Sequence, residues 1–554
     1  MTLPPTDLDR AGARPIDPDD LTMAAVRADL LRGRRVSVLG FARSGIALAR
    51  FLVDQGAEVT IYDVRPAKEL EAAIRALEGR PVTLLLGPEL EPASAWAGAA
   101  LVTTSPSVNA DFPTTEPRLR AALGALVERR RGGDPNAPAV VSEPDLVLRL
   151  CVAPTIGVTG TKGKTTTSAL THALLAADPS HRAFLGGNMG RPLVERLPEL
   201  RPDDRVVFEL SELQLPTLSR GTTVAAYTNV TSDHIDRHGS LEAYRRVKRR
   251  LAELVDPDGA LVLNADDPVV TAYAGLGTAP TVMYRQERPM AGGVGLVDDW
   301  IVAAGVQRLP LAGGGPAAIG PGGRILPIAE LGIPGRHNVS NAMAAVSVAL
   351  LFGVAPDAIR AAAARFRGVE HRLETVATID GVRFVNDSQG TQPDAVIAAL
   401  RAFDGPIVLI AGGRDKGVDL TELAGVVADR AAAVVLIGES GPMLEGLFRE
   451  AGARRTERAA SLEAAVVRAD AIARELGGGT RPAAAGGAGG AEREPVVLLS
   501  PAATSFDMFA DYEARGRAFK AAVAALRDAR SRAAGRSDPA VPGDAGDSRS
   551  GGGR

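Results

Sequence analysis

A chain of 554 residues is too long for one hydrophobic core, and at about 100–200 residues per domain three domains are the natural expectation. Hydrophobic residues make up 45%, and the net charge of −3 with acids and bases mixed throughout argues against a nucleic-acid or membrane surface as the main partner. The single cysteine, Cys151, excludes an intrachain disulfide framework and a Cys-built zinc site, fits a reducing cytoplasm, and reads as a small buried apolar residue rather than a nucleophile.

Residues 1–30 read as a disordered leader in which Leu21 to Leu31 can form a short helix. The leader is Pro- and Asp-rich and lacks a basic n-region and an apolar h-region, so a signal peptide is not expected. No run approaches the roughly 18 apolar residues that a membrane-spanning helix needs. From Arg35 to Leu39 a strand is expected, followed by the turn Gly40-Phe41-Ala42-Arg43-Ser44-Gly45, an Ala/Leu-rich helix through Val53, and a second strand ending at Asp63. A βαβ unit with an acid about 20 residues past the turn is also how a dinucleotide fold begins, although Ala42 stands where the fingerprint has its middle glycine. Strands near Thr83 to Leu86, Ala100 to Thr103 and Val140 to Val141 complete a small doubly wound sheet over residues 31–150, with the loop Ser105-Pro106-Ser107 after one of them.

A second α/β domain is expected over residues 151–368. It opens on Ile156-Gly157-Val158-Thr159-Gly160-Thr161-Lys162-Gly163-Lys164-Thr165-Thr166-Thr167: a β-branched strand, a Gly-rich turn, and a helix from Thr166 to Ala177. Free backbone N–H groups and a helix N-terminus attract phosphate oxygens, Lys164 can reach the β/γ-phosphates, and the Thr165 hydroxyl suits Mg²⁺. The strict phosphate-loop pattern fails, because Val158 stands five before Gly163. Strands follow at Arg205 to Leu210, Val224 to Asn229 and Ala260 to Asn264, and a helix at Asn338 to Phe352, whereas Gly292 to Pro327 reads as short β-pieces and loops. Glu209, flanked by Phe208 and Leu210 at a strand end, is placed as a further ligand for the nucleotide's Mg²⁺. The loop Asn229 to His238 brings His234 and two aspartates together, a set that suits a hard divalent ion. Lys248 lies in a basic helix, where spacing alone assigns it to solvent. Asn338 and Asn341 fall one turn apart on one helix face, and carboxamides suit an adenine edge.

The third domain, residues 369–530, alternates strands at Val382 to Asn386, Ile407 to Ala411, Ala433 to Ile437 and Val496 to Leu499 with helices. Glu370-His371-Arg372, Asn386 to Thr391, Gly412 to Lys416 and Ser500 to Asp507 sit at or near strand C-terminal ends, the edge at which α/β sheets bind ligands. Lys416 and Ser505 suit a small carboxylate. Gly477 to Glu494 reads as a flexible Gly/Ala insertion and residues 531–554 as a disordered tail.

In these residues and motifs the chain resembles the Mur ligases, and within them the branch that adds glutamate to UDP-N-acetylmuramoyl-L-alanine. The motifs TGTKGKTT, FELSELQL, NVTSDHIDRH, NADD, GRHNVSNA, EHR, NDSQGT, GGRDKG and LLSPAATSFD stand in family order between about Arg35 and Leu526. The resemblance implies three α/β domains: a Rossmann-like N-terminal domain for the UDP-substrate, a central P-loop ATPase-like domain with a mostly parallel sheet, and a Rossmann-like C-terminal domain for glutamate. It implies that ATP phosphorylates the substrate carboxylate and the glutamate amine attacks the acyl phosphate. Gly160, Thr161, Lys162, Gly163, Lys164, Thr165, Thr166, Asn338, Asn341, Arg372 and Asp387 would then hold ATP. Thr165, Glu209, His234 and a carbamylated Lys248 would hold two Mg²⁺ ions, with Lys164, His234 and Lys248 the catalytic set. Ser44, Asp63, Arg65, Ser105 and Asn188 would grip the UDP-substrate, and Thr391, Lys416, Ser505 and Tyr512 the glutamate. A cytoplasmic monomer serving peptidoglycan synthesis, cell shape and cell division is implied as well. The chain departs from the family pattern at Lys162, usually Asn or Ser, at Gln389, usually Lys in the glutamate branch, and at Ser107, usually Gly. D-glutamate is the usual amino acid, and relatives that add L-glutamate share most of these motifs. From another class, an NAD-binding oxidoreductase would explain Gly40 to Asp63 and leave the phosphate loop and third domain without use.

Overall fold

Parallel strands buried on both faces call for aliphatic residues at nearly every position, and the sequence supplies such runs in three groups. The computed structural model describes residues 14–113, 115–188, 192–231, 239–415, 417–477 and 494–534, and in it each group forms one sheet. The first comprises β1 (Arg35–Leu39), β2 (Glu58–Asp63), β3 (Val82–Leu86), β4 (Leu101–Thr104) and β5 (Ala139–Ser142), all parallel, in the order 3-2-1-4-5. The strand order reverses at β1, so the turn that follows it opens into a crevice between neighbouring loops, the place where a doubly wound sheet receives ligands.

The second sheet has nine strands. These are β6 (Thr155–Thr159), β7 (Ala183–Gly187), β8 (Arg205–Glu209), β9 (Val224–Tyr227), β10 (Ala260–Asn264), β11 (Thr281–Tyr284), β12 (Val294–Val297), β13 (Trp300–Ala303) and β14 (Arg324–Pro327), in the order 14-13-12-11-10-9-6-8-7. Strand β6 is buried along its whole length and lies between β8 and β9, so the residues following these three strands share one edge. The Gly/Pro-rich stretch read as loops and β-pieces contains β12 to β14, which continue the sheet with antiparallel pairings from β12 to β13 and from β13 to β14.

The first two sheets are fixed to one another by a buried polar joint and a continuous apolar core that runs from Ile16 to Ala279. Asp145, near the start of the Glu143–Leu150 helix, accepts hydrogen bonds from the Ser219 N–H at 2.6 Å, the Ser219 hydroxyl at 2.7 Å and the Arg220 N–H at 3.1 Å.

The chain divides into two compact units, residues 1–367 and 368–554. The second unit has one six-stranded sheet of β15 (Glu374–Ile379), β16 (Val382–Asn386), β17 (Ile407–Gly412), β18 (Ala431–Ile437), β19 (Thr456–Arg458) and β20 (Val496–Leu499), in the order 15-16-20-17-18-19. Only β15 runs antiparallel, and apolar clusters cover both faces. Among the described residues no helix is long and apolar enough to cross a membrane.

Candidate active site

The Gly-rich turn after β6 is held open by its neighbours. Gly160 and Gly163 have φ of +146° and +86°, and Gly163 caps the Lys164–Leu175 helix with no side-chain bond to its first turn. A Cβ on Gly163 would stand 2.5 Å from the Asn341 Oδ1, so only glycine permits both this left-handed turn and the close approach of the Arg336–Leu351 helix. The turn is clamped from the β9 side: the Asn229 Oδ1 accepts from the Lys162 N–H at 2.9 Å, while the Asn229 Nδ2 and the Thr228 hydroxyl donate to the Lys162 carbonyl at 2.9 and 2.6 Å. The result is a rigid ring of backbone donors at a helix N-terminus, which favours anionic oxygens. Thr165 is buried in the first helical turn and Thr166 half-buried beside it, and Lys162 is exposed at the rim.

Two lysines converge on this turn. Lys164 Nζ donates to the carbonyls of Gly160 at 3.0 Å and Thr161 at 2.8 Å. Lys248, read from spacing as a solvated residue, is fully buried, and its Nζ donates to the same Gly160 carbonyl at 3.0 Å. The burial has a geometric cause. On the Leu241–Leu254 helix Lys248 lies one turn beyond Tyr244, and that pair faces the sheet while Arg245, Arg246 and Arg249 face water. Tyr244 in turn shares a hydrogen bond with the Thr161 hydroxyl at 2.9 Å.

Glu209 ends β8, beside β6, and is buried. Its Oε1 accepts from the Asn188 Nδ2 at 3.1 Å, its backbone carbonyl accepts from the Asn188 N–H at 3.0 Å, and its Oε2 is buried with no hydrogen-bond partner among the described residues. That contact depends on Gly187, where a Cβ would come within 2.3 Å of the Phe208 ring and 2.4 Å of the Glu209 carbonyl. A buried carboxylate oxygen with an open lone pair fits a hard cation such as Mg²⁺. Among the described residues no three His, Cys, Asp or Glu side chains converge as a complete metal cluster, and His234 lies outside those residues. The NADD motif braces the edge: Asn264 donates to the Thr228 carbonyl at 2.7 Å, and Asp267 accepts from the Val230 N–H at 2.8 Å. Asn341 and Asn338 share a side-chain hydrogen bond of 3.1 Å, and Asn338 donates to the Pro334 carbonyl at 2.6 Å, so it tethers the preceding loop while Gly335 holds the cap position.

Ser44, Asp63, Arg65 and Ser105 gather at the carboxyl edge of the first sheet. Asp63 accepts from the Phe41 N–H at 2.8 Å and forms a forked pair with Arg65 at 2.9 and 2.8 Å. Burial pushes this carboxyl up, and the bonds from Arg65 and Phe41 outweigh it, so Asp63 sits below the usual carboxylate range. Ser105 is buried and donates to the Gly40 carbonyl at 3.2 Å, and Ser44 lies in the first turn of the Arg43–Asp54 helix. Arg43, which no motif in the sequence singles out, donates to the Asn188 carbonyl at 3.2 Å and so links the first sheet's turn to the residue holding Glu209.

In the second unit, Asp387, Thr391, Ser505 and Tyr512 lie in the loops after β16 and β20 and at the start of the Tyr512–Ala534 helix, and Arg372 lies just before β15. Asp387 is buried, accepts from the Ser500 hydroxyl at 2.6 Å and the Leu373 N–H at 3.2 Å, and is pushed up to about 6 by burial. Ser505 is buried, Tyr512 and Thr391 are half-buried, Arg372 is exposed, and Lys416 lies outside the described residues. Tyr512 meets His371 edge to face, with ring centroids 6.4 Å apart. Cys151 is half-buried with its thiol pushed up to about 11 by burial, which keeps it protonated and unreactive.

The model of the Mur ligase middle domain matches residues 158–349, and that of the Mur ligase glutamate ligase domain matches residues 371–479. The UDP-N-acetylmuramoylalanine--D-glutamate ligase of Symbiobacterium thermophilum is 37% identical over 497 residues, covering 89% of this chain and 98% of that protein. The chain belongs to the Mur ligase family. A second relative of this Mur ligase, the UDP-N-acetylmuramoylalanine--D-glutamate ligase of Pelotomaculum thermopropionicum, is 35% identical over 89% of this chain and 98% of its own. The solved UDP-N-acetylmuramate-alanine ligase of Thermotoga maritima aligns at a TM-score of 0.46 with 18% identity, covering 89% of this chain and 99% of that one.

Proposed function

We infer that this Mur ligase is an ATP-dependent, ADP-forming amide ligase that adds D-glutamate to UDP-N-acetylmuramoyl-L-alanine during peptidoglycan precursor synthesis. The observation that carries the reading is identity with D-glutamate ligases along 98% of their length, beyond the span of the two domain models. The phosphate turn after β6 fits the nucleotide half of that reaction, and the crevice of Asp63, Arg65 and Ser105 fits a polar, anionic substrate.

In this reading the amides of Gly160 to Lys164 and the Lys164 ammonium take the ATP phosphates, and Lys164 exchanges its two loop carbonyls for phosphate oxygens. Asn338 and Asn341 take the adenine edge. Thr165 and the open oxygen of Glu209 hold one Mg²⁺, which when bound neutralises the charge that builds on the transferred phosphoryl group. A second ion would be held by His234 and a carbamylated Lys248. Arg43 and Asn188 orient the muramoyl end, with its carboxylate toward the γ-phosphate. The carboxylate attacks the γ-phosphorus, ADP departs, and the glutamate amine displaces phosphate from the acyl carbon. Catalysis is then positioning and charge stabilisation. Thr391, Lys416, Ser505 and Tyr512 take the glutamate.

The test is phosphate release from ATP with UDP-N-acetylmuramoyl-L-alanine across a panel of D- and L-amino acids. D-glutamate alone should support rapid release with formation of the amide product. Equal release with L-glutamate would overturn the assignment of handedness, and dependence on a different amino acid would overturn the substrate.

A further inference from the structure

Arg515 is the largest fully buried side chain of the described residues, and it is a cation without an ion pair. No carboxylate among the described residues lies within ion-pair distance of its guanidinium, and Asp507 is the one acid whose charge bears on it. Burial lowers its pKa to about 10, so the group remains charged at neutral pH. An interior charge held only by neutral oxygens is costly unless its fork is well satisfied. Here it is satisfied by two loops. Nε donates to the Ser388 hydroxyl at 3.0 Å and Nη2 to the Ser388 carbonyl at 3.0 Å. Nη1 and Nη2 donate to the Ala503 carbonyl at 3.2 and 3.3 Å.

Those loops are the ones that follow β16 and β20, and they carry Thr391 and Ser505. The helix that begins at Tyr512 is tied to the same place, because Ser388 donates to the Tyr512 carbonyl at 2.7 Å and Asn386 to the Gly516 carbonyl at 3.3 Å. On the same two loops, Asp507 Oδ1 and Gln389 Oε1 are buried without hydrogen-bond partners among the described residues. A purely structural staple could be neutral. A cation offset only by Asp507, with no ion pair, can in addition attract a dicarboxylate amino acid toward that edge.

We propose that Arg515 is a positioning residue for the amino-acid substrate: its fork sets Thr391 and Ser505 in register, and its unpaired charge favours a dicarboxylate over a neutral amino acid at that edge. The inference rests on the glutamate reading given above. Lysine keeps a charge but offers a compact point in place of a planar fork, so Arg515→Lys separates the two effects. Steady-state kinetics with varied D-glutamate, ATP and UDP-N-acetylmuramoyl-L-alanine should give a KM for D-glutamate raised about tenfold in Arg515→Lys, with the other two within about twofold. Ser388→Ala, which removes one acceptor and the hydroxyl's bond to the Tyr512 carbonyl but leaves the charge, should give a smaller rise in the same constant. Arg515→Met should lose glutamate saturation, and should it fail to fold, the two milder variants decide the matter. An unchanged KM for D-glutamate in both, or an equal rise in all three constants, would overturn the inference. A wild-type chain that releases no phosphate with D-glutamate overturns the functional reading itself and the inference with it.

Discussion

Lys164 and Lys248 aim their ammonium groups at one atom, the carbonyl oxygen of Gly160, each at 3.0 Å. They arrive from different helices, one continuing the phosphate turn and the other crossing beneath it. A buried ammonium beside a like charge is unfavourable, and carbamylation would convert Lys248 from cation to anion and turn a repulsion into an attraction. Lys248→Ala should therefore lose nearly all turnover, and formate or acetate, each able to supply the missing carboxylate, should restore part of it. Absence of any rescue in a protein with an unchanged melting curve would make Lys248 a structural lysine.

Gly163→Ala tests the turn. A non-glycine residue in the left-handed region costs about 1–2 kcal/mol. The new methyl must also displace the Asn341 carboxamide, 2.5 Å away, and with it the putting together of turn and helix. The expected outcome is a lowered melting temperature and, unlike the wild type, no thermal shift on addition of ATP. Retention of that shift would mean the turn tolerates the change.

Asp387 sets a pH dependence. Its carboxyl is pushed up to about 6 in the folded chain from an ordinary 3.8, chiefly by burial. The folded state therefore binds this proton more tightly than the unfolded one. Its stabilising effect is complete below the unfolded value and is lost as pH rises through the folded value, up to about 3 kcal/mol in all. Asp387→Asn should gain stability relative to wild type as pH rises from about 4 to about 7, as read by urea denaturation midpoints. A difference between the two that does not change with pH would refute the shift.

Lys162 is exposed and its ammonium has no hydrogen-bond or ion-pair partner among the described residues, although its peptide is clamped by Asn229 and Thr228. Lys162→Asn should leave the melting temperature alone and raise the KM for ATP by about tenfold, roughly 1.4 kcal/mol of lost phosphate attraction. Kinetics identical to wild type would assign the side chain to solvent.

Cys151 should resist iodoacetamide at about pH 8, since thiolate is the reactive form and burial holds this thiol protonated. Rapid labelling of the native protein, followed by mass spectrometry, would contradict the burial.

The phosphate turn was legible from its residues alone, because glycines at fixed offsets after a β-branched strand and before a helix leave few other conformations. Most strands of the parallel sheets were legible as well: strands such as β10, β17 and β20 are buried on both faces and read as nearly unbroken aliphatic runs. Strands with small or mixed residues were harder to read: the edge strand β7, written Ala-Phe-Leu-Gly-Gly, escaped, and β12 to β14 were legible only as short β-pieces among loops, since a short strand gains its stability from a neighbour already in place. The motifs placed Glu209 at a strand end, but its open oxygen follows from how Gly187 lets β7 close over β8. Spacing assigned Lys248 to water, and only the docking of its helix against β6 turned that face inward. Arg43 and Arg515 carried no local signal at all. Their guanidinium groups act on residues far along the chain, Asn188 in one case and Ser388 in the other, and contacts of that separation exist only once the sheets have brought their edges together.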